Sequence, residues 1–252
     1  MELLGKPIDD QVVTDRVVAL AARYEKAGSA VIQLLNMVGG QAEDLLNRLP
    51  EGLRANLDQG TEQALRLAMK TAEKSRGVIG DQPGWLTTVM STALGAAGGF
   101  GGLPSALAEL PVTTTVLLHG IQSAAVEHGF DPSEPGVQFD CVQVFAAAGP
   151  LAKDDGADLA FLSTRIMVSG AAMQALIARV APRLAVVLGQ KLAAQTVPVL
   201  GAVAGAATNY AYASYYREMA HVHFGLRRLA VEADLDHEEL VGLMRARISG
   251  AS

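Results

Sequence analysis

The chain has 252 residues, half of them hydrophobic, with only 5% aromatic and 18% charged residues. That length fits one large domain with a substantial core, and so apolar a composition excludes disorder over most of it. A net charge of −6 excludes a general nucleic-acid binder, which needs a basic footprint.

Met1 to Asp15 mixes Asp9, Asp10 and Asp15 with Lys6 and has no apolar core of the kind a signal peptide needs. Cys141 is the sole cysteine, so neither an intrachain disulfide nor a cysteine-based zinc site is available, and a reducing cytoplasm is the expected location. Val13, Val17, Leu20 and Ala21 predict a helix from Val12 to about Tyr24. A second is expected from about Ser29 through Leu49, with Gly39-Gly40 as a candidate interruption. Pro50 opens a short helical turn, and Thr61 is the expected N-cap of a charged amphipathic helix carrying Leu65, Ala68, Met69 and Ala72.

Gly77 to Gly84 is punctuation, and the chain then turns soft. Between Trp85 and Val126 the only formal charge is Glu109, and His119 is the only other titratable side chain. A helix starts near Ser133, cued by Asp131-Pro-Ser-Glu-Pro135, and stops at Gly149-Pro150. Helices from about Asp158 to Val180 and from Arg183 to Thr196 follow, divided by Pro182. From Leu192 to Tyr216 no residue is charged. The last helix has Asp236 as N-cap, Glu239 at N3 and Leu235 placed to staple onto Leu240. No alternation with hairpin chemistry predicts a strand. The expected fold is all-α: a single helical domain over 1–252, a multi-helix bundle with charged amphipathic helices in about 1–80 and central Gly/Ala-rich apolar helices after them.

Charge is unevenly spread. Residues 81–160 carry a net of −8, with Lys153 the one base, whereas residues 161–230 carry +6, with Glu218 the one acid. Either the two segments face each other, or Arg165, Arg179, Arg183, Lys191, Arg217, Arg227 and Arg228 form a surface for acidic lipid or an acidic partner.

Two Gly/Ala-rich segments, Leu86–Thr115 and Val197–Tyr210, are long enough to raise the question of membrane spans. Their Ala, Gly, Ser and Thr content and breaks at Pro104, Pro111 and Pro198 favour buried helices of a soluble domain, with Glu109 costly at mid-bilayer. Gly98-Gly-Phe-Gly-Gly-Leu-Pro-Ser105, Glu109-Leu-Pro-Val-Thr-Thr114 and Leu117-Leu-His-Gly-Ile-Gln122 resemble the EcsC family. The run from Lys191 to Tyr210, continuing to Leu229, is similar to the same family's C-terminal half. The resemblance covers about residues 60–232, with its motifs within 81–232 and residues 233–252 left as a C-terminal capped helix. The family is named for a protein encoded beside an ABC transporter. The resemblance implies a bacterial, helical, membrane-associated accessory protein and brings no catalytic residues with it.

The residues themselves offer little chemistry. Asp154-Asp-Gly-Ala-Asp158 matches an acidic string that binds Mg²⁺ and diphosphate in helical prenyl-transferring enzymes, yet it lies beside a turn with no companion string. The glycine cluster lacks both nucleotide-loop endings. His221 and His223 are two apart, so on a helix they point to different sides, and their place with Arg227 and Arg228 suits a helix exit. No metal, cofactor or catalytic residue is assigned.

Glu109 and His119 sit alone in apolar sequence and need partners or neutral forms, and Thr113, Thr114 and Asn209 can supply buried hydrogen bonds there. Tyr210, Tyr212, Tyr215 and Tyr216 are four of the chain's five tyrosines and lead into Arg217. They suit a lipid-headgroup interface and equally a core edge with hydroxyls reaching outward. Together with Arg227 and Arg228 these are the candidate ligand- or membrane-contact residues. The expected function is peripheral association with the inner face of a membrane or a membrane-protein complex. The alternative is a binding protein or enzyme for an apolar, lipid-like ligand held between the uncharged helices.

Overall fold

The computed structural model describes residues 9–37, 49, 51–75, 110–147, 157–162, 169–194 and 201–250. Among them are seven α-helices, one 3-10 turn and no strand. The helices are α1 (Asp10–Met37), α2 (Glu51–Ser75), α3 (Leu110–Glu127), α4 (Pro135–Val144), α5 (Gly170–Ala194), α6 (Gly201–Ala233) and α7 (His237–Ile248), with the 3-10 turn at Ala157–Leu162 before α5. The all-α bundle expected from the helical periodicity is what forms.

Several boundaries differ from the expected ones, each for a local reason. The two N-terminal helices are one: α1 runs through Ser29, whose hydroxyl donates to the Glu25 carbonyl at 2.9 Å instead of capping a new start. Thr61 likewise lies inside α2, fully buried, where tertiary packing overrides its capping preference. Pro182 does not divide α5. The carbonyl it deprives of a donor belongs to Ala178, on the exposed side of the helix where water can reach it. The start of α5 is fixed further on than expected, by Ser169, whose hydroxyl accepts from the Ala172 N–H at 3.1 Å. Asp154 and Asp155 of the acidic string, Arg165 and most of the first Gly/Ala-rich segment, residues 86–109, lie outside the described residues, whereas Asp158 falls in the 3-10 turn.

Specific turn chemistry fixes two of the helix ends. Helix α3 stops in a Schellman turn: Gly129, at φ 80°, lets the Phe130 N–H reach the Ala125 carbonyl and its own N–H reach Val126. This leaves His128 as the first residue past the helix, in the turn that closes it. At the start of α7, Asp236 accepts from the Glu238 N–H at 2.7 Å, so the expected cap forms. Leu240 behind it is fully buried and Leu235 packs against the core, the staple arrangement.

Helix α6, 33 residues and about 50 Å long, is the spine. It packs on α1, α3, α4, α5 and α7. Its buried face carries Tyr212, Tyr216, Met219, Phe224 and Leu226, which meet Leu118 and Ile121 of α3, Phe145 after α4 and Phe161 of the 3-10 turn in one core. Helix α2 closes the bundle over α3 and α5.

Candidate functional site

Two regions carry the candidate residues: the polar seam along α6 and the outer face of α5. The first candidates from sequence are mostly buried. Glu109 lies outside the described residues. Thr113 accepts a hydrogen bond from Lys191 Nζ at 2.7 Å, and Lys191 itself is only 1% exposed. Thr114 turns inward and donates to the Leu110 carbonyl of its own helix at 2.8 Å. One step along α5, Gln190 accepts from the Tyr212 hydroxyl at 2.9 Å. Adjacent residues of α5 thus tie α3 and α6 together, and Thr113 and Tyr212 are brought to one polar knot. His119 is half-buried and Asn209 is buried.

The tyrosine face points into the protein. Tyr212, Tyr215 and Tyr216 are buried, Tyr216 stands edge-on to Phe145 at 5.1 Å between ring centres, and burial pushes both the Tyr212 and Tyr216 hydroxyls well above their ordinary pKa. These three take the core position. Only Tyr210, 49% exposed, faces out.

The arginines of α6 meet the acids of the preceding segment. Arg227 binds Asp140 of α4 at 2.5 Å and stacks over the Phe130 ring at 4.5 Å. Arg217 lies 3.5 Å from Glu127, and Arg228 pairs with Glu232 one turn on. Arg217, Arg227 and Arg228 are therefore engaged within the protein, the first two by acids of residues 81–160. The opposite charges of the two segments allow them to face each other, but do not say which acid meets which arginine.

Histidines complete the seam. His221 and His223 do point to different sides of α6, in mid-helix and not at its exit. His221 Nδ1 is 3.2 Å from His128 Nε2, and its Nε2 is 3.6 Å from Glu127. Burial, then the Arg23, Arg217 and His128 charges, pull the His221 pKa down to about 3. Burial and Arg23 also lower that of His128. On the other side, His223 is fully buried with Nε2 3.7 Å from Asp140, and His237 meets the Leu162 carbonyl at 2.8 Å. Burial pushes the Asp140 carboxyl up, but His223 and Arg227 outweigh it and hold it below the usual range. No motif in the sequence marks Asp140, Glu127 or His128. The one signal for the two acids is the −8 charge of their segment.

No group of three His, Cys, Asp or Glu among the described residues is arranged to hold a metal. A cleft lined by Met69, Leu118, Gln122, Gln138 and Val142 measures about 10 Å³, the space of a single water.

The outer face of α5 is different in kind. Ala171, Ala175, Ala178, Pro182 and Val186 recur at helical spacing and are all exposed, with exposed Arg179 and Arg183 along one edge of the stripe. The helix contains no Asp or Glu. Arg183 donates to the Ala146 carbonyl at 2.8 Å, and Arg179 has no acidic partner among the described residues. Among the described residues α5 is the one helix long and apolar enough to cross a membrane, and only 44% of its most apolar window is buried. Pro182 divides this helix in the sequence pattern, which hides its continuous face.

The model of the EcsC protein family matches residues 86–229, more than half of the chain. No curated protein and no solved structure matches.

Proposed function

Because the chain belongs to the EcsC protein family, and because α5 turns an apolar, acid-free face to solvent, we propose that it is a bacterial accessory protein that associates peripherally with an anionic membrane surface, on the cytoplasmic side. The observation that carries this reading is the outer face of α5. A core helix of such apolarity is mostly buried, whereas less than half of this one's apolar window is. Its exposed stripe is small-residue rather than Leu- or Phe-rich, so insertion is shallow. Each CH₂ removed from water contributes about 0.8 kcal/mol, and each arginine near an anionic surface about 1 kcal/mol. Binding of that size is reversible and falls with salt; a fixed anchor needs more.

Vesicle flotation tests this. The protein is expected to rise with vesicles containing phosphatidylglycerol at low salt, to be released at high salt, and to ignore phosphatidylcholine alone. Retention in the dense fraction with anionic vesicles at low salt overturns the reading.

A further inference from the structure

We infer that His128 and His221 form an acid-opened latch that holds the end of α3 against α6. The geometry makes the pair a proton-counting device. Their facing nitrogens lie 3.2 Å apart, so one ring must donate and the other accept. With both rings neutral, or with one proton added, that bond can form. With two added protons only N–H groups face each other, and the rings must part.

The surroundings oppose those protons. From α1 comes Arg23, bound to Glu218 of α6; from α3 comes Glu127, shared by Arg217 and His221. On α6 itself Arg228 pairs with Glu232, which also takes Arg16 of α1 and is held in its charged form by both guanidinium groups. Four arginines thus face three glutamates before either histidine titrates. The arrangement has one excess positive charge at neutral pH, and Glu127, the one carboxylate that favours a proton on His128, is outweighed there by burial and Arg23.

The seat of the latch is Gly225, one turn beyond His221. A Cβ there would lie 2.8 Å from Leu20 Cδ2 of α1 and 3.5 Å from His128 Cε1. The missing side chain lets Leu20 of α1 close on the helix, with the His128 ring at ordinary van der Waals distance beside it. His128 follows directly on the last residue of α3, Glu127, and opens the Gly129 turn, so its release frees that turn without breaking the helix.

The sign follows from proton uptake. Both histidines bind protons more weakly closed than open, so opening takes protons up and is favoured as pH falls below the ordinary histidine value of about 6.5. Between pH 7 and pH 5, uptake of one proton favours opening by about 25-fold, and uptake of two by up to several hundred-fold.

Hydrogen–deuterium exchange of the full chain, corrected for the intrinsic pH dependence of exchange, reads this directly. The amides of residues 128–130, read in peptides covering 120–132, are expected to exchange more than 25-fold faster at pH 5 than at pH 7, with α5 peptides changing far less. His128→Gln keeps a neutral hydrogen-bonding side chain and is expected to reduce the response to 25-fold or less. His119→Gln leaves it unchanged. Should His221→Gln fail to fold, His128→Gln, at a half-buried helix end, still decides. A flat wild-type profile, an equal acceleration in α5, or an undiminished response in His128→Gln overturns the latch.

Discussion

The outer face of α5 and the buried seam of α6 draw their cations from the same basic stretch of sequence and use them in opposite ways. Along α6, Arg217, Arg227 and Arg228 each meet a carboxylate. On α5, Arg179 and Arg183 border an apolar stripe and meet no acid among the described residues. A segment charge of +6 therefore does not mark a basic surface. What distinguishes a structural arginine from an available one is which helix carries it and which acids the fold brings opposite.

Mutations can break that contrast. Asp140→Ala removes the carboxylate facing Arg227 and His223 and leaves the arginine at a largely buried position without its partner. A loss of about 3 kcal/mol is expected in chemical denaturation. Tyr212→Phe deprives buried Gln190 of a donor and is expected to cost about 1–2 kcal/mol. Tyr216→Phe sharpens the point: its buried hydroxyl has no hydrogen-bond partner among the described residues, so removing it is expected to be neutral or slightly stabilising. Ala178→Glu, on the exposed α5 face, is expected to change stability by less than about 0.5 kcal/mol. The ranking from Asp140 down to Ala178 is the seam-and-surface contrast in energetic form. If Ala178→Glu destabilised as much as Asp140→Ala, that face would be core.

The all-α class was legible because apolar spacing at i, i+4 and i+7 persists through most of the chain. The Asp236 cap was legible because its chemistry is local. Ser29, Thr61 and Pro182 misled for the opposite reason. The capping preferences are worth about 1 kcal/mol and a proline inside a helix costs about 3 kcal/mol, and packing over a long helix outweighs both. The tyrosines show the same limit at the level of the site: gathered on one helix in sequence, three of them proved to be core, a choice that depends on α4 and α5 closing over them. The face of α5 became visible only once Pro182 ceased to divide it. The partners of Arg217 and Arg227 lie about 90 residues away in the chain, and no local pattern identifies them.

Flotation of Ala178→Glu/Val186→Glu beside the wild type, with phosphatidylglycerol vesicles at low salt, tests the central claim most directly. Both proteins are expected to fold alike, the wild type to float and the double variant to stay in the dense fraction. Equal flotation of the two would contradict the assignment of the α5 face, and a wild type that fails to float would contradict membrane association itself.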